Sequence, residues 1–197
     1  EFAFGADEDL VVNYRLIKGR TLEAEELNKL LYEAEVGKLM DRVYGLLSFR
    51  ARSEKEVRNY LKTLSFKRKI KDQEEISQAS IELLVERAKQ RGLINDLEFA
   101  KAWVEGRRRS KQKGVRALRM ELFQKGIDRE IIEEVTRVES QESSEEELAV
   151  KALEKKMKSW KNLEPFEFRK KAIEFLMRKG FSYEIARGVV ENIDKLE

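Results

Sequence analysis

KGIDREIIEEV, residues 125–135, and KGFSYEIARGV, residues 179–189, are two versions of one pattern set 54 positions apart. Each opens on Lys-Gly, adds an apolar residue, and then repeats apolar side chains at helical spacing, Ile131 and Val135 in one copy, Ile185 and Val189 in the other. The residues before them agree as well, with Leu122 over Leu176 and Phe123 over Met177. A weaker copy lies upstream at an offset of 61, where Val57 falls over Leu118, Leu61 over Leu122 and Phe66 over Ile127. Three copies of a three-helix unit result. A unit of about 45 residues with one apolar face per helix cannot bury that face alone, so the copies are expected to stack into an elongated, curved rod.

Composition agrees with an all-α fold. Charged residues make up 40% of the 197 positions, with ten Gly and a single Pro, a mixture rich in helix formers and poor in chain breakers. There is no Cys and no His, which removes disulfides, thiolate zinc sites, Cys nucleophiles and imidazole bases together. With no Gly-rich phosphate loop either, neighbouring carboxylates such as Glu133-Glu134 or Glu145-Glu146 do not make a catalytic site. No enzyme activity, cofactor or metal is expected. No apolar run approaches the roughly 20 residues that span a bilayer, and no leader with an apolar centre is visible, so a cytoplasmic protein without a membrane partner is the economical expectation. Nothing demands more than a monomer. The absence of an initial Met suggests that something preceded Glu1.

Working along the chain, residues 1–20 read as an N-terminal extended or β remnant, because Phe2 and Phe4 alternate and Leu10-Val11-Val12-Asn13-Tyr14 is β-branched and aromatic. A connecting helix over 21–37 leads to a first repeat over 38–92. Within it, Ser53 and Glu56 form a capping-box signature, Lys67-Arg68-Lys69-Ile70-Lys71 reads as a basic loop, a long helix starts near Glu74, and Gly92 closes it. The second repeat, 93–138, has a helix from Asp96, a break at Gly114, an apolar face of Val115, Leu118 and Leu122, and a helix after Asp128. The run ESQESSEEE, residues 139–147, has five acids and three Ser and reads as a solvated linker or a frayed helix start. The third repeat covers 148–197, with Pro165 suited to the first turn of a helix.

The charge is unevenly placed. The net is +3 overall and +7 between Arg107 and Arg119, which leaves −4 for everything else. A local patch of this kind points to a polyanion, and the run contains no acid of its own at i±4 to offset the repulsion. Arg107, Arg108, Arg109, Lys111, Lys113, Arg116 and Arg119 are therefore candidate contacts to DNA phosphates or to an acidic protein surface, although Arg107 and Arg119 can also lay their stems along the core. Lys67, Arg68 and Lys69 form a second candidate cluster. The alternative for both is a merely solvated face. Trp103 and Trp160 are the right type to stack on bases, yet Trp103 shares a face with Phe99 and reads as packing.

Several of these landmarks together resemble the RecX family, regulators of the bacterial RecA recombinase. They are Leu46-Leu47-Ser48-Phe49-Arg50-Ala51-Arg52-Ser53-Glu54-Lys55-Glu56-Val57 with Tyr60-Leu61; Gly92-Leu93-Ile94-Asn95-Asp96 with Phe99-Ala100, Trp103-Val104 and Arg107; and Gly114, Leu118, Leu122 and Lys125-Gly126-Ile127. They extend over about two thirds of the chain, and it is their order and spacing that carries the likeness. Residues 2–32 also look like the tail of an N-terminal extension found in longer members, with Glu1–Gly5 as the second strand of a hairpin. The resemblance implies a non-enzymatic helical-repeat protein that binds RecA filaments on DNA, along the filament groove, and restrains recombination and SOS co-protease activity. Contact to DNA would be to the phosphate backbone and independent of sequence. The rival from another class is a stand-alone helix-turn-helix transcription regulator, which would dimerise and present base-reading residues on a recognition helix; a run of Lys and Arg positions on phosphate more than it specifies sequence. A purely structural adaptor is a third reading.

Overall fold

Ten helices, α1 to α10, follow one another in the computed structural model, which describes residues 5, 8–142, 145–160 and 163–193; among these there is no strand. The chain divides into two compact units, Glu1–Ile94 and Asn95–Glu197.

The first unit opens with α1 (Glu8–Asn13), where a strand is expected. Leu10 turns inward there and joins Leu30 and Ala34 of α2 in a small apolar cluster with Tyr14, Leu16 and Leu22 around it. Helical pairing against α2 thus overrides the β-branched composition of the segment. Phe2 and Phe4, which carry the rest of the expected strand, lie outside the described residues. Helix α2 (Ala24–Phe49) is one continuous helix of 26 residues, so the expected boundary between residues 37 and 38 falls inside it.

Helix α3 (Glu54–Ile70) starts as the sequence indicates: the Glu56 amide donates to Ser53 Oγ at 3.3 Å and the Ser53 amide to Glu56 Oε2 at 3.4 Å. It runs on through Lys67, Arg68 and Lys69, which are therefore the last helical turn and not a loop. The connection comes later, and α4 (Gln78–Gln90) begins after the Ser77 cap instead of near Glu74. Because α3 is long, Phe66 lies on its surface at 61% exposure, and Ile76, 6% exposed, plugs the core instead, its amide held by Ser65 Oγ at 3.0 Å. The proposed equivalence of Phe66 with Ile127 fails for that reason. Val36, Leu39, Val43, Val57, Leu61, Leu84 and Val85 make the core, and Gly92 at φ +70° takes the chain out of α4.

In the second unit, α5 (Asp96–Lys111), α6 (Val115–Gln124) and α7 (Arg129–Glu142) surround Phe99, Val104, Leu118, Leu122, Ile132 and Val135. Next, α8 (Glu145–Met157), α9 (Pro165–Arg178) and α10 (Tyr183–Ile193) surround Leu153, Leu176, Phe181, Val189 and Val190. Pro165 sits in the first turn of α9. Each triplet is built alike, with its third helix packed on the first and the second. The repeated Lys-Gly pairs supply the same turn, Gly126 at φ +79° and Gly180 at φ +95°, and the following Ile127 and Phe181 are both buried.

The two triplets of this unit meet backbone to backbone. The Gly114 amide donates to the Lys179 carbonyl at 3.0 Å and the Arg116 amide to the Gly180 carbonyl at 3.1 Å. There is no room for a side chain: a Cβ on Gly114 would lie 2.6 Å from the Gly180 carbonyl, and one on Gly180 would lie 2.4 Å from Ala117. Sequence reading assigns Gly114 only a helix break; its larger role is this close approach.

Candidate polyanion interface

Successive residues of α5 point about 100° apart, so the run Arg107-Arg108-Arg109 fans out. Arg107 lies partly along the core, as its register suggests. Its Nε donates to Glu121 Oε2 at 2.8 Å and its guanidinium sits 4.2 Å from the centre of the Trp103 ring. Arg108 turns inward, 5% exposed, and pairs with Glu145 at 2.8 Å. Arg109 points outward at 79% side-chain exposure, with Glu105 one turn back at 3.6 Å.

Lys113 closes on the same Glu121 that holds Arg107. Burial alone would push the Glu121 carboxyl up, but hydrogen bonds from Lys113 and Trp103 and the charges of Lys113 and Arg107 outweigh it and hold the group below the usual carboxylate range. Arg119 donates from Nε to Thr136 Oγ1 at 3.1 Å. Lys111 and Arg116 are exposed and form no ion pair among the described residues.

Arg107, Arg108, Arg109 and Lys113 are thus compensated, contrary to the expectation from the run's own composition, while Lys111 and Arg116 are not. The acids come from outside the run: Glu105 one turn before, Glu121 in α6, and Glu145 some 37 residues beyond Arg108. Glu145 also accepts from the Val115 amide at 3.2 Å, capping α6, whose Gly114 has no side chain to do so. Burial raises its carboxyl above the ordinary range in spite of that amide and of Arg108. Residue 145 therefore opens α8, in line with the helix-start alternative for this run, and is paired with Arg108 instead of solvated. Residues 143–144 of that expected linker lie outside the described residues.

In the first unit, Arg68 pairs with Glu35 of α2 and Lys69 with Glu75 at 2.8 Å. Lys67 is exposed and, with Arg68 and Lys71, edges a cavity of about 470 Å³. Neither tryptophan offers an open ring. Trp103 stacks on Phe99 at 5.7 Å between centroids and carries Arg107 and, at 4.9 Å, Lys125 over its ring. Trp160 meets Phe168 and Phe175 edge-on at 6.3 and 5.6 Å. Among the described residues no group of His, Cys, Asp or Glu has the arrangement of a metal site, and no helix is long and apolar enough to cross a membrane.

Sequence reasoning missed a set of cations that the meeting of the two triplets assembles. Lys155 and Lys156 from the last turn of α8, with Arg178 and Lys179 from the end of α9, come round Lys111 and Lys113 to line a cleft of about 430 Å³. No Asp or Glu lines it. Lys179 is pressed below the usual lysine range by burial and then by the positive charges of Lys155, Lys113 and Lys156. The available signal was the offset of 54: aligning the copies puts the Lys125-Gly126 turn over Lys179-Gly180 and so marks Lys179 as a turn residue, but which segment that turn touches is not written in the alignment.

Comparison with known proteins places this geometry. The family model for the second three-helix domain of RecX matches residues 95–135, and that for the third matches residues 144–190. The regulatory protein RecX of Bacillus subtilis is 34% identical over 194 residues, an overlap of 98% of this chain and 69% of the relative. RecX of Listeria monocytogenes serotype 4a is 31% identical over 190 residues, covering 95% of this chain and 65% of its own length. Two crystal structures share the fold. A regulatory protein RecX superposes with a TM-score of 0.79 at 23% identity over 96% of this chain and 88% of that one, and RecX from Lactobacillus salivarius with 0.67 at 24% identity over 81% and 97%.

Proposed function

Since the chain belongs to the RecX family of regulatory proteins, we propose that it is a non-enzymatic regulator of the RecA recombinase that binds RecA–DNA filaments in the cytoplasm, as a monomer, and inhibits strand exchange and SOS co-protease activity. The observation that carries this reading is the match of two successive three-helix segments to RecX domain models, within a sequence similarity to a RecX regulatory protein that extends over 98% of the chain. Arg109, Lys111 and Arg116, with Lys67 of the first unit, present exposed positive charge. Such charge gains from release of the counterions condensed on DNA phosphates. Guanidinium and ammonium groups of this kind hold a backbone without reading bases, which favours a filament regulator over a sequence-reading transcription factor.

The test is salt-dependent binding to bare duplex, bare single strand and a RecA filament, together with RecA strand exchange in the presence of the protein. Preference for the filament and slowed exchange are expected. Tight binding to one duplex sequence with none to filaments would replace the reading by that of a transcription regulator.

A further inference from the structure

We propose that the cleft between the second and third repeats is a seat for phosphate groups, in which a polyphosphate or a stretch of nucleic-acid backbone bridges Lys111 and Lys113 on one side to Lys155, Lys156, Arg178 and Lys179 on the other. Six cationic side chains from three separated segments converge on one concavity whose lining holds no acid. The C-terminal ends of α5, α8 and α9 draw cations to this place, but their mutual repulsion is further relieved by an anion, and compensation by carboxylates is thin. Lys113 has Glu121 and Arg178 has a distant Glu174 at 3.8 Å, whereas Lys111 and Lys156 pair with no carboxylate among the described residues.

Two of the cations are also held in place. Lys155 donates to Gln112 Oε1 at 2.8 Å and Lys179 to the Lys111 carbonyl. Gln112 itself is 7% exposed, sits in the left-handed region at φ 44°, and spends its Nε2 on the Arg109 carbonyl at 2.9 Å. With its amide engaged at both ends, Gln112 cannot read a base edge, so the seat recognises charge alone. Ala152 and the Phe175 ring, the latter 5.5 Å from Lys179 Nζ, form apolar walls that concentrate the field of the ammonium groups. A compact, multiply charged oxyanion with several acceptors per centre suits a ring of point-charge donors better than the single charges of an acidic peptide. The cleft adjoins the Gly114–Gly180 contact, so an occupant that spans it ties the two repeats together.

The test needs no RecA, so its failure and that of the filament reading are distinguishable. The full chain is compared with Lys156→Glu/Arg178→Glu, with the milder Lys156→Gln/Arg178→Gln, and with Lys18→Glu/Lys62→Glu, which makes the same change in net charge in the first unit. Circular dichroism establishes that each variant folds. Thermal melts with tripolyphosphate, and fluorescence titrations of a labelled oligothymidylate across a salt series, are the readouts. For the parent and the first-unit control, tripolyphosphate is expected to raise the melting temperature. In the cleft reversal that rise disappears, oligonucleotide affinity falls about tenfold, and the salt slope loses about 1.4, or about 0.7 for each of two phosphate contacts; the Gln pair falls between. A response to tripolyphosphate alone assigns the seat to free phosphates, and one to both probes extends it to nucleic acid. A parent that responds to neither probe, a cleft reversal that behaves as the first-unit control, or a polyglutamate peptide that competes better than the oligonucleotide overturns the proposal.

Discussion

Gly114 and Gly180, the first before α6 and the second before α10, touch across the meeting of two repeats so closely that neither position has space for a methyl group. Two backbone hydrogen bonds, at 3.0 and 3.1 Å, fasten the same turns.

Substitution there should therefore differ sharply from substitution of a helical glycine elsewhere. Gly114→Ala and Gly180→Ala are expected to destabilise by about 1–3 kcal/mol each through enforced backbone displacement, with φ +95° adding strain at Gly180. In Gly188→Ala, within α10, the new Cβ meets nothing within 4 Å, and a gain of about 0.5–1 kcal/mol is expected. Urea midpoints at unchanged slope check both.

The Arg108–Glu145 pair makes a second prediction. Removing one member strands the other in a largely dry position, so Arg108→Met is expected to cost about 3 kcal/mol, the lower end for a buried pair because Glu145 keeps some contact with water. The double variant Arg108→Met/Glu145→Gln should recover part of that loss, and a double-mutant cycle measures the coupling.

Two glutamates give opposite pH dependences. Glu121, held below the usual carboxylate range, adds stability that is fully present above the unfolded-state value and is lost as pH falls through its lowered folded value; Glu121→Gln should flatten the acid limb of the stability curve. Glu145, raised by burial, binds its proton more tightly when folded, so its contribution declines as pH rises from the ordinary carboxylate range through the raised value, and Glu145→Gln should remove that decline. Denaturation at a series of pH values separates the two.

Within the basic run, position decides consequence. Charge reversal at Arg109, Lys111 and Arg116, all exposed, should leave stability nearly unchanged while the salt slope of binding to the filament or to DNA drops by about one unit per lost phosphate contact. Reversal at Arg107 and Lys113 should instead lower stability, since both neutralise Glu121. Parallel melts and titrations distinguish these outcomes.

The repeats were legible because Ile131, Val135, Ile185 and Val189 recur at helical spacing behind identical Lys-Gly turns, and that periodicity is a property of single elements. The caps at Ser53 and Gly92 were legible for the same reason. What escaped depends on distant partners. Leu10–Tyr14 carries strand composition yet finds an apolar stripe on α2, and Lys67–Lys69 continue a helix in which Glu35 and Glu75 pair with Arg68 and Lys69. The basic run looks uncompensated because Glu121 and Glu145 approach it from other helices. Conversely, Lys155, Lys156 and Lys179 are scattered along the chain and become a cluster only where two triplets meet.

Helix α2 belongs to two apolar clusters at once, with Leu30 and Ala34 facing α1, and Leu39 and Val43 inside the core with α3 and α4. At 26 residues without a break it is about 39 Å long. One unbroken backbone therefore fixes the spacing of the two clusters, and the small N-terminal one is moored to the core of the first repeat through a single helix.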